Sequence, residues 1–506
     1  MLIRKKFCYK GREFDAISDD TKALDSRTLF VKSDLNAKYT QDLVLEFLDE
    51  APCENLSDTK STHSADSTNS KRADSLPCIH ASTLSEIFTL PPFIIGITGT
   101  NGKTSSAACM YSILLDCGFS VALLGTRGFF INQKQLKPKG LTTPSVLELY
   151  EDFELAKECD FFIMEVSSHA IVQERIAGVP FALKALTNIT SDHLDFHKSL
   201  EEYIRVKNSF FSDEALKVIN ADEPNARANP ANCFSYGVES KSNLSVNAYS
   251  LKNGISAHLY FQTHERQTRD LQTQNPQAQD LQTQSVREEA FLQSPLFGKH
   301  NLYNILCALL SVRILALKLA STQFAKDSVF KDFCALSLQD LCVKAQNFGG
   351  VSGRMEVVSE NPLVIVDFAH THDGMEKIFE SFKGRKIVVL FGAGGDRDPT
   401  KRPKMGAVAQ TYAQRIYLTN DNPRTENPLE IINQIAQGLD SKRLQEQGRL
   451  IIELNRLRAL ERAVSELERD EVLLVLGKGD ESYQIIGTQK IPFDDREILK
   501  KLLKAH

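Results

Sequence analysis

Gly99-Thr100-Asn101-Gly102-Lys103-Thr104-Ser105 follows the apolar run Phe93–Thr98 and opens a stretch with helical patterning, Thr104 to Cys117. Glycines let the backbone curl so that its N–H groups face a phosphate. The helix N-terminus behind them adds partial positive charge. In such a loop the lysine, here Lys103, reaches the β- and γ-phosphates, and the Thr104 hydroxyl is a ligand for Mg²⁺. The common pattern GxxxxGK[ST] requires Gly at 97, where Ile97 stands. A lone GKT is weak evidence, but this segment between strand and helix is a specific signal. The seven residues 99–105 are the expected nucleotide-binding loop.

Working outward, the same text recurs: an apolar run, then a polar turn. Examples are FFIMEVSSH (161–169), ALTNITSDH (185–193), LVIVDFAH (363–370), KIVVLFGAGGDRD (386–398), RIYLTNDNPR (415–424) and VLLVLGKGDE (472–481). Runs of four to six Val, Ile, Leu and Phe are buried parallel strands in α/β proteins. Helical patterns intervene, as in Leu302 to Leu319. The expected fold class is therefore α/β with doubly wound sheets, whose ligands sit at the carboxyl ends of the strands. Pro91-Pro92 and the small-residue segment Asn347–Ser352 mark boundaries. They divide the chain into an N-terminal domain (1–91), a central P-loop domain (92–348) and a Rossmann-like C-terminal domain (349–506).

Composition sets outer limits. The chain has 506 residues, 42% hydrophobic and 25% charged, which excludes a wholly disordered or fibrous protein and suggests three domains. A net charge of −5 gives no reason to expect nucleic acid as a partner. There is no run of about 20 apolar residues for a transmembrane helix and no apolar stretch behind the first charges for a secretory signal. Ten cysteines without a CxxC pair read as reduced thiols, most of them buried, in a cytoplasmic protein. Two polar stretches read as surface insertions, the Ser-rich 57–75 and the Gln-rich 262–284, where DLQTQ occurs twice.

Several residues carry chemistry but leave alternatives open when read bare. Glu165 ends a strand and is a hard oxygen ligand suited to Mg²⁺. His193 ends the next and reads equally as a core or capping histidine. Lys207, in the helical EEYIRVKNSFF, reads as a surface lysine. Asn301 and Asn304 bond a nucleotide or cap a helix. Thr142, Thr143, Ser167, Gln173 and Arg175 suit a diphosphate and sugar but are also ordinary polar residues. Arg397 and Arg424 offer guanidinium donors for carboxylates. Asp421-Asn422-Pro423-Arg424 is a turn made rigid by Pro, expected to present Asn422 and Arg424 outward. Gly477 and Glu481 would accept an ammonium.

The GTNGKTS loop, with Glu165, the Asp192-His193 dipeptide, Lys207, GKHNLYN (298–304), GRME and VDFAH, resembles the Mur ligases, which build the peptidoglycan precursor for cell wall, cell shape and division. Folylpolyglutamate synthetase shares the loop. The resemblance implies a three-domain cytoplasmic monomer, without membrane insertion, that uses ATP and Mg²⁺. It implies that Glu165 and His193 hold two Mg²⁺ ions with Thr104, and that CO₂ converts Lys207 to a carbamate which joins them. It makes Arg354 the γ-phosphate arginine and Asp367 the ribose aspartate. Lys103, Lys207, Glu165, His193 and Arg354 form the implied catalytic set. Asn301 and Asn304 join the loop and Asp367 around ATP.

The same resemblance assigns Thr142, Thr143, Ser167, Gln173 and Arg175 to a UDP-linked muramoyl peptide, with Leu24 and Ser26 at the uridine. GGDRD, DNPR and GKG resemble the branch that adds meso-diaminopimelate, through Arg397, Asp421, Asn422, Pro423, Arg424, Gly477 and Glu481. Phe368, His372 and Asp480 stand where that family more often has Tyr, Pro and His. The implied substrates are UDP-MurNAc-L-Ala-D-Glu, meso-diaminopimelate and ATP, joined through an acyl phosphate. Alternatives are a lysine-adding homologue, folylpolyglutamate synthetase and, from another class, a nucleotide-switched binding module.

Overall fold

The computed structural model describes residues 1–25, 27–33, 36, 39–40, 43, 45–48, 76–252, 254–263 and 286–505. Ser26, the Ser-rich stretch and residues 264–284 of the Gln-rich stretch lie outside them. The first sheet has β1 (Leu2–Tyr9), β2 (Arg12–Ser18), β3 (Thr28–Lys32), β4 (Leu45–Phe47) and β5 (Leu76–His80), in the order β1-β2-β3-β5-β4.

The central sheet contains β6 (Phe93–Thr98), β7 (Val121–Gly125), β8 (Gly128–Ile131), β9 (Lys134–Lys137), β10 (Phe161–Glu165), β11 (Phe181–Leu186), β12 (Leu216–Asn220), β13 (Cys233–Gly237), β14 (Leu244–Ser250), β15 (Ile255–Gln262) and β16 (Arg287–Ser294). Their order is β16-β15-β14-β13-β12-β11-β6-β10-β7-β8-β9. β6 lies between β10 and β11, parallel to both. Glu165 is level with Ile97, and Leu186 with Thr98. The phosphate loop, Glu165 and the turn after Leu186 therefore leave the sheet side by side, at the carboxyl edge where ligands bind in such sheets.

Every residue of β6 is buried because both faces are covered. Ile95 and Ile97 face a core built with Met110, Ile113, Leu306 and Leu310, from the helices Lys103–Asp116 and Lys299–Leu319. Ile94 points the other way, as the two-residue strand period requires. It joins Phe162 and Met164 in a second core, which continues into Leu29, Val31 and Ile79 of the first sheet and Leu84 of the short helix after it. The helix Lys299–Leu319 is long and apolar enough to cross a membrane, but 83% of its apolar window is buried inside the protein. It is a core helix, which the sequence pattern hides by interrupting it with Asn301, Asn304 and Arg313.

The C-terminal sheet contains β17 (Glu356–Glu360), β18 (Leu363–Asp367), β19 (Lys386–Phe391), β20 (Arg415–Leu418), β21 (Leu450–Ile452) and β22 (Glu471–Leu476), ordered β17-β18-β22-β19-β20-β21. Only the edge strand β17 is antiparallel. A hairpin, β23 (Tyr483–Ile486) with β24 (Gln489–Pro492), follows. Adjacent strand ends again bring separate polar turns together: Phe391 pairs with Leu418, and Asp367 with Leu476. The α/β class read from the sequence is the fold observed.

Candidate active site

Two glycines shape the phosphate loop, Gly99 at φ +151° and Gly102 at φ +84°. A Cβ on Gly99 would lie 1.8 Å from Thr187 Oγ1, and one on Gly102 would lie 2.3 Å from Asn304 Oδ1. At both places the positive φ strains an L residue, and its Cβ would displace the side chain it meets. The loop is held from β11's turn. Asn188 Oδ1 accepts from Asn101 N at 2.9 Å, while Thr187 Oγ1 and Asn188 Nδ2 donate to Asn101 O at 2.6 and 3.0 Å. Lys103 Nζ arches over its own loop and donates to Gly99 O (2.8 Å) and Thr100 O (3.0 Å). Burial pushes its pKa down, against the pull of Glu165 and Asp192.

Glu165 is buried, and three hydrogen bonds reach its carboxylate. Its Oε2 accepts from Thr104 Oγ1 (2.9 Å) and Thr126 Oγ1 (3.1 Å), and its Oε1 from Thr126 N (2.9 Å). His193 adopts φ +53°, and its Nε2 lies 3.5 Å from Asp192 Oδ2. Asp192 also receives Lys401 Nζ, from the C-terminal sheet's side, at 2.9 Å. Burial works to raise the Asp192 pKa, but His193 and Lys401 outweigh it and bring it to about 2.

The bare reading of Lys207 as a surface residue is corrected: it is 1% exposed. Its Nζ donates to Gly99 O at 3.0 Å, lies 3.4 Å from Thr98 Oγ1, and sits over the Tyr203 ring. Among the described residues it has no ion-pair partner, and burial holds its pKa well below the usual lysine value. It lies directly behind the phosphate loop.

A cavity of about 420 Å³ is lined by residues 100–105, Thr126, Thr142, Glu165 and His193 on one wall, and by Arg354, Asp367, Phe368 and His370 on the other. Arg354 stacks on Phe368, 4.6 Å from its ring centre. Asp367 accepts from Met355 N (2.7 Å) and Ala369 N (2.6 Å), and burial raises its pKa against the opposing effect of Arg354. Asn301 and Asn304 also line the cavity. The helix-cap alternative fails for both, since Gly298 is the N-cap residue and Asn301 Nδ2 donates to Phe297 O at 2.9 Å. Asp373, which sequence reading did not select, accepts from Asn101 Nδ2 (3.2 Å) and Thr190 Oγ1 (3.0 Å), tying the two walls together.

Thr142, Thr143, Ser167, Gln173 and Arg175 form one connected group beside Glu165. Thr142 Oγ1 is 3.2 Å from Thr126 Oγ1. Thr143 Oγ1 donates to Glu165 O (2.9 Å) and accepts from Ser167 N (3.0 Å). Arg175 donates to Thr143 O (2.7 Å) and to Gln173 Oε1 (2.5 Å). Leu24, in the first sheet's connection, is half-buried, and its companion Ser26 is outside the described residues.

The remaining residues gather at the carboxyl edge of the C-terminal sheet, outside the cavity. Arg424 Nη1 donates to Gly395 O at 2.6 Å, and Gly395 N to Asn422 O at 2.9 Å, so the 392–398 and 419–427 turns are joined. Arg397 is exposed beside them. The expectation that Asn422 points outward is wrong: it is 3% exposed. Its Nδ2 donates to Glu481 Oε2 (2.7 Å), and its Oδ1 accepts from Ile485 N (2.8 Å). Asp421 is buried too, packed so closely that a Cβ on Gly477 would lie 2.5 Å from its Oδ2. Pro423 occupies the bend against Gly395.

Asp480 lies 3.6 Å from Lys139 Nζ, linking the Gly477–Glu481 loop to the central sheet's edge. The missed residues Thr187, Asn188 and Asp192 lay in a turn already quoted, TNITSDH. Their signal was its density of hydrogen-bonding side chains after a buried strand.

The Mur ligase middle domain family matches residues 97–312, and the family described as Mur ligase, glutamate ligase domain matches 353–479. The UDP-N-acetylmuramoyl-L-alanyl-D-glutamate–2,6-diaminopimelate ligase of Helicobacter hepaticus is 48% identical over 507 residues, covering 99% of this chain and 98% of its own. The ligase of the same name from Wolinella succinogenes is 55% identical over 412 residues, with coverage of 81% and 84%. A solved structure of a ligase of that name superposes with a TM-score of 0.59 at 23% identity, over 98% of this chain and 95% of that one, and so shares the fold.

Proposed function

The chain belongs to the Mur ligase family, and we propose that it joins meso-diaminopimelate to UDP-N-acetylmuramoyl-L-alanyl-D-glutamate at the expense of ATP, in the synthesis of the peptidoglycan precursor. It is an ATP-dependent, amide-forming ligase. The observation that carries this reading is the cavity between the phosphate loop with Glu165 and the wall with Arg354 and Asp367. On its flanks lie the Thr142–Arg175 group and, on the C-terminal sheet, the Asp421–Arg424 turn. The first region takes the uridine nucleotide (1–91), the second ATP (92–348) and the third the amino acid (349–506).

An oxygen of the D-glutamate γ-carboxylate attacks the γ-phosphorus, and the bond to the β-phosphate oxygen breaks, releasing ADP. The diaminopimelate amine then attacks the acyl carbon, loses its proton, and expels phosphate to leave the amide. Lys103 and the N–H groups of residues 99–105 hold the transferring phosphates, and Arg354 neutralises them from the facing wall. Asp367 holds the ribose, with Asn301 and Asn304 beside the nucleotide. The barrier falls mainly through positioning and charge stabilisation.

The donors present fit a divalent metal. Thr104 and Glu165 place hydroxyl and carboxylate oxygens 2.9 Å apart, and His193 lines the same cavity. Thr104, Glu165 and His193 would hold Mg²⁺, which would supply positive charge for the phosphates. Lys207 fits a carbamate, because a buried amine with a lowered pKa is the neutral nucleophile that CO₂ requires. As a carbamate it would be an anionic oxygen ligand for a second ion. On this reading the chain works as a cytoplasmic monomer, outside the membrane.

The reading is tested by phosphate release from ATP in the presence of UDP-MurNAc-L-Ala-D-Glu. Diaminopimelate should stimulate release strongly and lysine weakly. Stimulation by lysine instead would identify the lysine-adding homologue. Stimulation by glutamate with a folate in place of the uridine nucleotide would identify a folylpolyglutamate synthetase. ATP hydrolysis that responds to no amino acid would point to a nucleotide switch.

A further inference from the structure

Lys478 lies beneath the amino-acid turns and is wholly buried, 0% exposed. Its Nζ donates to Tyr483 O at 2.5 Å and lies 3.4 Å from both Asn422 Oδ1 and Glu481 Oε2. Asn422 Nδ2 donates to that same Glu481 Oε2. One carboxylate oxygen of Glu481 is therefore engaged twice, while Oε1 has no protein partner among the described residues. The loop is closed by Glu481 N donating to Lys478 O at 2.9 Å. A buried ammonium is costly unless it is paired and hydrogen-bonded. Lys478 meets this requirement with three oxygens drawn from three segments: the 419–427 turn, the 477–482 loop and the start of β23.

We propose that Lys478 is a positioning residue for the second substrate: it locks Asn422 and Glu481 together through one carboxylate oxygen and leaves the other to accept the substrate's distal ammonium. The inference rests on the functional reading above, together with the ammonium-accepting role that the sequence analysis expects of Glu481. Without the Lys478 charge, Glu481 loses one of its two anchors and turns toward Asn422 alone. A lysine that merely propped the β23–β24 hairpin would affect every amino-acid substrate alike.

The test compares meso-diaminopimelate with L-2-aminopimelate, which keeps the distal carboxylate and lacks the distal ammonium. kcat/KM for both is measured in the parent and in Lys478→Met, with KM for ATP as the check on the rest of the site. Loss of a charged hydrogen-bonding partner should lower kcat/KM for diaminopimelate by about tenfold or more. Use of 2-aminopimelate and KM for ATP should hold, so the ratio of the two substrates collapses. If Lys478→Met does not accumulate as folded protein, Lys478→Gln, which keeps a donor for the Tyr483 carbonyl, carries the same comparison. Equal losses for both substrates, or an unchanged ratio, overturn the inference alone. A parent with no diaminopimelate-dependent phosphate release overturns the functional reading and the inference with it.

Discussion

Lys207 shows how packing changes the chemistry of one side chain. In EEYIRVKNSFF a lysine among charges reads as solvent-facing. Yet Tyr203 and Phe210 lie four before and three after it, at helical spacing, and the helix Leu200–Ser209 buries Tyr203, Val206 and Lys207 together. Lys207→Ala should therefore lose most ligation activity. Added bicarbonate should not restore it, because no amine remains, whereas short-chain carboxylic acids should restore part. Turnover near the parent rate would exclude the carbamate role. Asp152 is the opposite charge type under the same pressure. It is 1% exposed, and burial raises its pKa to about 6, offset only in part by Lys137 at 2.7 Å. A carboxyl that holds its proton more tightly folded than unfolded favours the folded state at low pH. Relative to Asp152→Asn, the parent should be most stable below about pH 4 and lose that advantage as pH rises through 6, then level off. Denaturant titrations of both proteins from pH 4 to 8 check the sign.

The proposed amino-acid site is a product of paired turns rather than of any one of them. Residues 392–398 and 419–427 leave neighbouring strands β19 and β20 and are stitched by Arg424 to Gly395 O and Gly395 N to Asn422 O. Thr425 Oγ1 adds a bond to Asp396 (2.6 Å), and Arg402 bridges Gly394 O to Glu426. Gly395 is required at this seam: a Cβ there would lie 1.9 Å from Pro423 O. Gly395→Ala should force the turns apart and raise KM for diaminopimelate by about tenfold or more, with KM for ATP unmoved. Arg424→Ala removes the guanidinium expected to read the distal carboxylate. Truncating one side of a buried charge-assisted contact costs about 2 to 5 kcal/mol, or roughly 30-fold or more in kcat/KM. Lysine lacks that carboxylate, so its trace use should fall far less. Steady-state kinetics with both amino acids decides, since an equal loss would mean that Arg424 does not read it.

At the scale of the whole molecule, the central and C-terminal sheets meet around the nucleotide cavity. Asn101 and Thr190 bond Asp373, Asp192 pairs with Lys401, and Arg127 Nη1 donates to Ser352 O at 2.8 Å. The Gln-rich stretch falls, in sequence, between the last two strands of the central sheet. It connects β15 to β16, whose ends are already paired in register, Gln262 opposite Arg287. A short turn can close that hairpin, and loop-closure entropy changes slowly with length. Deleting 266–284 should therefore leave ligation largely unchanged. Loss of soluble, active protein would show that the insertion packs on the domain.

The sequence alone determined what local chemistry can specify. Buried strands announce themselves as apolar runs, because both faces of a parallel sheet are covered. The phosphate loop announces itself through glycines and GKT, and the strand ends and the turns after them hold Glu165, His193, Asp367 and residues 421–424 and 477–481, whereas Lys207, Asn301 and Asn304 sit on helices. Tertiary structure alone decided which of those turns meet. Asn101 is held by Asn188 and Asp373, 87 and 272 positions away, because strand order places the ends of β6 and β11 together and sheet docking brings Asp373 opposite. The same distant packing buries Lys207, turns Asn422 inward and sets Lys478 under Glu481. A polar residue in a loop carries no local sign of whether water or protein will satisfy its hydrogen bonds. That outcome depends on which distant backbone and side-chain groups the fold delivers to it.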